Sequence, residues 1–284
     1  MTEAIDQLDE IADRFDAIVL DQWGVLHDGT SPYPGAVEAV ERLHARGSRL
    51  AVLSNSGKRS DLNAERIAQM GFTTKLWRSV MTSGEALWSD IAEGKFTPHR
   101  VFAVTAKPGD AQSWAKGLNL IFVKSIEDAD AVLIMGLPES EAFPSKNEML
   151  AWQSAIVMRD LPVYCSNPDK ISPRAGGALV MSPGALAHQI EAAGGQVRYY
   201  GKPHLPVFRA VQLAMNSAPN RCLMVGDSLE HDIAGAEAAG WSTAFVRGGI
   251  HSNDFEGANI IKALSAAAKR KACPLPDFTL SSLR

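Results

Sequence analysis

Cysteine is scarce in this chain: Cys165, Cys222 and Cys273 are the only three in 284 residues. They are widely spaced, with no Cys-x-x-Cys pair and no histidine cluster beside them, which argues against a disulfide framework or a structural zinc. Such cysteine usage suits a reducing compartment, the cytoplasm. Long apolar runs are lacking too. Met1 to Phe15 is acidic, with no stretch long enough for a signal or a span, so no membrane partner is expected. Its Ile5, Leu8 and Ile11 recur at helical spacing and predict an amphipathic leading helix. Nor does one sign of charge dominate. A net charge of −4 gives no electrostatic reason to expect nucleic acid as a partner. Internal repeats and low-complexity segments are absent. What remains is an ordinary globular composition, 46% hydrophobic and 21% charged, large enough for more than one domain and best matched to small-molecule partners.

Ala17 to Leu20, an apolar β-branched run, reads as a buried strand with Asp21 at its carboxyl end. In open parallel sheets that edge is where ligands bind. The carboxylate there is either a nucleophile or metal ligand, or a turn former. A helix begins at Tyr33-Pro-Gly-Ala, and Leu50 to Leu53 is a second strand running into Ser54-Asn55-Ser56-Gly57-Lys58. Hydroxyls and amides at a strand-to-helix turn can hold a phosphate oxygen; they can equally be helix caps. From about Arg100 the pattern starts afresh as a compact α/β block. Its boundaries are expected near Glu93 to His99 and in the Pro/Gly-rich stretch Pro173 to Gly184, and Pro138 to Lys146 reads as a loop. Within this block Ser166-Asn167-Pro168-Asp169 follows a strand and is, by itself, an Asx-Pro turn.

The last third carries Gly201-Lys202-Pro203, and then a buried strand from Arg221 that ends in Gly226-Asp227, with Asp232 five residues on. Two carboxylates at that spacing can point at one hard cation. An acid in a first helical turn also suits the helix dipole, so either residue alone has a structural explanation.

The order of these signals is more specific than any one of them. Strand–Asp, strand–Ser/Asn, Gly-Lys-Pro and strand–Gly-Asp-x-x-x-x-Asp resembles the four motifs of the haloacid dehalogenase-like hydrolase superfamily over nearly the whole chain. Asp21-Gln22-Trp23-Gly24-Val25-Leu26, Tyr33-Pro-Gly and Lys202-Pro203 look like its class IIA branch, which includes sugar-phosphate, nucleotide and pyridoxal-phosphate phosphatases. The resemblance implies an α/β fold: a doubly wound, Rossmann-like parallel-sheet core from residues 1–94 and 182–284, and an inserted α/β cap at 95–181. Ser182-Pro-Gly-Ala-Leu looks like the re-entry to the core.

The resemblance also implies roles. Asp21 attacks phosphorus and carries an aspartyl-phosphate. Ser54 binds the transferring group with the backbone at Asn55, and Lys202 neutralises Asp21 and the phosphate. Mg²⁺ is held by Asp21, the backbone carbonyl of Trp23 and Asp227, while Asp232 orients the site or binds metal through water. Asn167 and Asp169 are expected to contact the organic part of a small phosphorylated metabolite, and a homodimer through the cap is the assembly to look for. A carboxylate and a phosphate dianion repel each other, so a cation and an ammonium group are needed before they meet.

Trp23 departs from the pattern. Phosphatases of this family normally carry a second Asp there, which protonates the leaving oxygen and later deprotonates water. Indole N–H is only a donor and does not titrate in that range. His27 and Asp28 are the nearest titratable replacements in sequence. The expected activity is thus a Mg²⁺-dependent phosphohydrolase, slow on plain alkyl esters. The alternatives are a silent member that binds a phosphorylated ligand or a partner, and dehalogenase-type hydrolysis by the same nucleophile.

Overall fold

The computed structural model describes residues 2–138, 145–173, 179–249, 255 and 259–284. Positions 139–144 of the expected loop and 174–178 of the Pro/Gly-rich stretch lie outside the described residues. In chain order the strands are β1 (Glu3–Ala4), β2 (Ala17–Leu20), β3 (Arg49–Ser54), β4 (Ser79–Thr82), β5 (Arg100–Val104), β6 (Ile121–Val123), β7 (Ala131–Ile134), β8 (Val163–Cys165), β9 (Ile171–Pro173), β10 (Leu179–Met181), β11 (Val197–Tyr199), β12 (Cys222–Gly226), β13 (Ser242–Val246) and β14 (Phe278–Leu280). No helix among the described residues is long and apolar enough to cross a membrane.

The chain divides into two compact units. The first comprises Met1–Ser54, Asp61–Met81 and Lys202–Arg284. It holds a seven-stranded sheet in the order β1-β14-β13-β12-β2-β3-β4. Pairing is parallel from β1 through β3. Every residue of β2 is buried, so both faces of the sheet are covered, as a doubly wound sheet requires. Helix Ala36–Ala45 lays Ala36, Ala39, Val40 and Leu43 into a cluster with Ile18, Leu20, Leu50 and Val225. Helix Ile260–Lys271 packs Leu264, Ala267 and Ala268 on Phe245. Ala244 and Val246, the neighbours of Phe245 along β13, belong to the first cluster, as the alternation of a strand dictates.

The leading segment corrects the expected amphipathic helix. Ile5, Leu8 and Ile11 are buried, but β1 pairs with β14 and two short 3₁₀ turns follow, Leu8–Glu10 and Ala12–Arg14. Glu10 closes the first turn by accepting from the backbone N–H groups of Asp6 and Gln7. Edge pairing and side-chain capping outcompete a helix over so short a stretch.

The second unit comprises Asn55–Ser60 and Thr82–Gly201. Its five-stranded sheet runs β11-β8-β7-β5-β6, all parallel, with the strand order reversing between β5 and β7. An antiparallel pair, β9 with β10, lies apart from this sheet. The unit therefore begins earlier and ends later than the expected cap of 95–181. Helix Pro183–Ala192, expected to re-enter the core, buries Leu186, Ala187 and Ile190 with Val132, Val163 and Tyr199 in this unit's own cluster. Val197 to Tyr199 then pairs with Val163 to Cys165. The return to the first unit falls at Lys202, because strand pairing keeps the intervening residues in the five-stranded sheet.

Candidate functional site

In the first unit β2 is flanked by β3 and β12, and Leu20 lies opposite both Val52 and Val225. That register carries Asp21, Ser54 and the Gly226-Asp227 pair to one carboxyl edge. The Asp21 N–H continues the ladder, donating to the Val225 carbonyl at 2.9 Å. The chain turns from β2 to β3 on one side and returns as β12 on the other, which makes this the switch point where an open sheet leaves a crevice.

Lys202 fills that crevice. Its Nζ lies 2.6 Å from Asp21 Oδ1 and 2.7 Å from Asp232 Oδ1, and its side chain is only 4% exposed. The other Asp232 oxygen accepts from the Ser228 N–H at 3.0 Å, so this carboxylate is spoken for on both sides. It sits on a π-helical turn, Leu229–Ile233, and orients the lysine. Asp227 is buried in a slot between glycines: a Cβ on Gly24 would lie 1.9 Å from its Oδ2, and one on Gly249 2.2 Å. Gly24 also has φ +82°, so any side chain there is strained as well as obstructed. Tyr33 stands near enough for the Asp227 charge to add to the rise that burial imposes on its phenol.

Carboxylate oxygens of Asp21, Asp227 and Asp232 all lie within 4.8 Å of one another. Burial pushes the Asp21 carboxyl up to about 7; the Lys202 ammonium opposes this rise and Asp232 adds to it. Burial alone would lower Lys202, but the two carboxylates outweigh it and hold the ammonium above its ordinary value. Three acids around one ammonium are short of positive charge, and an all-oxygen donor set is what a hard divalent cation takes. The residues present therefore fit such an ion.

A flap follows Asp21. The Gln22 carbonyl accepts from the N–H groups of Leu26 and His27 at 2.8 and 3.1 Å, and bridges join Trp23 to His27 and His27 to Pro32. The Trp23 indole lies over Gly29, where a Cβ would come within 2.3 Å of the ring. Both titratable groups nearby are engaged within the loop itself. His27 is fully buried, its Nδ1 accepts from the Gly29 N–H at 3.0 Å, and burial holds the ring down at about 4. Asp28 accepts from the backbone of Thr30 and Ser31 and from the Thr30 hydroxyl, which hold it at about 2. It is an Asx turn.

Asn55, Asn167 and Asp169 belong to the second unit, where they meet one another. Asn55 Nδ2 donates to Asp169 Oδ1 at 2.7 Å, and the Asp169 N–H donates to Asn167 Oδ1 at 3.0 Å. Sequence reasoning missed Gly249 and the Ser228 N–H. Only Gly249 left a trace, as a Gly-Gly pair shortly after a strand.

A haloacid dehalogenase-like hydrolase family model matches residues 18–117, and a HAD-hydrolase-like model matches 199–269. Together they cover more than half of the chain. Chronophin from Homo sapiens is 28% identical over 255 residues, spanning 86% of this chain and 84% of that one. The D-glycerol 3-phosphate phosphatase of Mycobacterium tuberculosis is 28% identical over 244 residues, spanning 85% of this chain and 65% of that one. Among solved structures, a haloacid dehalogenase-like hydrolase from Brucella suis 1330 superposes with a TM-score of 0.79 at 28% identity, over 99% of this chain and 100% of that one. A glycerol phosphate phosphatase from Mycobacterium tuberculosis, in complex with calcium, gives 0.68 at 27% identity, over 84% and 68%. With the ordered motifs and their convergence on one sheet edge, these matches show that the chain belongs to the haloacid dehalogenase-like hydrolases.

Proposed function

We propose that this protein is a Mg²⁺-dependent phosphatase of the class IIA branch, hydrolysing a small phosphorylated metabolite through an aspartyl-phosphate on Asp21. The observation that carries this reading is the Lys202 ammonium held between Asp21 and Asp232, with the Asp227 carboxylate in the same cluster. A relative named as a phosphatase of glycerol phosphate and bound to calcium supports it. Asp21, Asp227 and the Trp23 carbonyl would hold the metal. When bound, Mg²⁺ supplies the positive charge that lets a carboxylate and a phosphate dianion approach.

An Asp21 oxygen forms a bond to phosphorus while the ester P–O bond breaks and the leaving oxygen takes the electron pair. Ser54 and the backbone at Asn55 hold the phosphoryl oxygens, and Lys202 neutralises them. Water then attacks phosphorus, releasing phosphate and restoring the carboxylate. Trp23 contributes no proton to either step. Leaving groups that depart as stable anions, aryl or acyl, are therefore served best, and the second step limits turnover.

With para-nitrophenyl phosphate and Mg²⁺ the protein should release a burst of nitrophenolate followed by slow turnover. Asp21→Asn should reduce both by on the order of 10⁴-fold, and chelation or Asp227→Asn should remove Mg²⁺-dependent activity. Should Asp21 never become phosphorylated while phosphate still binds, the reading that the missing acid at 23 favours next, a phospho-ligand binder, takes precedence.

A further inference from the structure

The loop after β8 grips the chain on both sides of the phosphate-facing residues. Asn55 is the residue immediately after Ser54, and Gly201 is the one immediately before Lys202. Asp169 takes the Asn55 amide at 2.7 Å. Pro168, itself buried, lies against Gly201 so closely that a Cβ there would come within 2.2 Å of Pro168 Cδ and 2.7 Å of Asn55 Oδ1. The loop is itself fixed. Asn167 Oδ1 accepts from the Asp169 N–H, the Asp169 carbonyl accepts from the Gly184 N–H at 3.0 Å, and a Cβ on Gly184 would meet the Pro168 carbonyl oxygen at 2.0 Å. Two glycines at van der Waals limits and one charge-assisted hydrogen bond thus hold residues 55 and 201 against one rigid turn.

We propose that Asn167-Pro168-Asp169 is a clasp that sets the spacing of Ser54 and Lys202, and that Asp169 is a positioning residue for the phosphoryl-binding groups. The inference rests on the phosphatase reading for its kinetic consequence, but its geometric content does not. A hydroxyl and an ammonium that must meet the same phosphoryl oxygens come from sequence positions 148 apart. Small displacements between such groups are costly in rate. Holding their immediate neighbours on one turn removes that freedom.

A reciprocal swap tests it. Asn55→Asp sets two carboxylates face to face and should lower kcat by about 10- to 100-fold. Its effect should be the same for aryl and alkyl substrates, and the inhibition constant of inorganic phosphate should rise with it. The double variant Asn55→Asp with Asp169→Asn exchanges donor and acceptor and should recover most of the loss. Gly201→Ala, which wedges the clasp from the other side, should reproduce the single variant. Inorganic phosphate has no organic part, so a changed KM for one substrate with unchanged phosphate inhibition would overturn the proposal and return Asp169 to substrate recognition. Backbone amide resonances of Ser54 and Lys202 should shift in Asn55→Asp and return in the swap. Resonances that stay put would overturn the clasp even in an inactive protein. Shifts that occur in a protein unable to bind or hydrolyse phosphate would instead uphold the clasp and sink the phosphatase reading.

Discussion

Both units of this molecule are built on parallel sheets whose strand order reverses once, yet among the described residues only the first gathers buried charges at its carboxyl edge. In the seven-stranded sheet the reversal at β2 brings Asp21, Asp227, Asp232 and Lys202 together, with side chains between 0% and 14% exposed where they pair. In the five-stranded sheet a hollow of about 770 Å³ lies near the ends of β5 and β6, lined by Phe102, Val104, Ile126 and Trp152. Its cations, Lys107 and Lys124, are exposed. One partly buried ion pair of that unit, Arg59 with Glu85 at 2.7 Å, is bidentate and stacked on Trp88, with side chains 25% and 18% exposed. The contrast teaches that a switch point is only an opportunity. What makes it a site is unbalanced charge buried there, because only a charge that water cannot screen acts strongly on a ligand.

The contrast breaks if the two ion clusters prove energetically alike. Lys202→Met, in metal-free buffer at pH 7, strands two buried carboxylates and should lower unfolding stability in urea by about 3–5 kcal/mol. Arg59→Met leaves a partly solvated Glu85 and should cost about 1–3 kcal/mol. Equal losses would mean that burial does not separate the two clusters. A second substitution sharpens what the first edge lacks. Trp23→Asp should raise hydrolysis of alkyl phosphates by about 10²-fold, read as steady-state phosphate release, since a proton carrier then serves both steps. A wild type that already turns over alkyl esters faster than the variant would place the acid elsewhere.

The smallest expected effect concerns the flap. His27 titrates at about 4 in the folded chain, held down chiefly by burial, against about 6.5 when unfolded. The unfolded chain takes up the proton first, so the stability this ring contributes is whole above pH 6.5 and is lost as the pH falls towards 4. Between pH 7 and pH 5 the protein should lose about 2 kcal/mol through this group. His27→Gln, whose amide oxygen can still accept from Gly29, should lose that much less in urea unfolding. Identical acid slopes for the two proteins would show that the ring is not buried as described.

Much of the first unit was legible beforehand. Ala17–Leu20, Arg49–Ser54 and Cys222–Gly226 are short apolar runs that stop at polar residues, and each forms a strand where the pattern places it. The leading segment was misread because apolar spacing of three suits a 3₁₀ turn as well as a helix. The second unit's extent was misread because Val197–Tyr199 looks like any short strand, and its partner, Val163–Cys165, lies 34 residues away in sequence. Asn167 and Asp169 were legible as a turn, and their grip on Asn55 was not.

By itself, then, the sequence determined local order: which runs become strands, which acids end them, and that position 23 holds an indole where a titrating group is usual. Tertiary structure decided the neighbours. That β12 and β3 flank β2, that Lys202 divides itself between Asp21 and Asp232, and that Asp227 lies between Gly24 and Gly249 all follow from contacts between residues up to 205 positions apart, as Ala17 is from Cys222. A strand's own side chains specify which faces are buried. They do not specify which other strand supplies the hydrogen bonds, and the charge balance of the site is set by that choice.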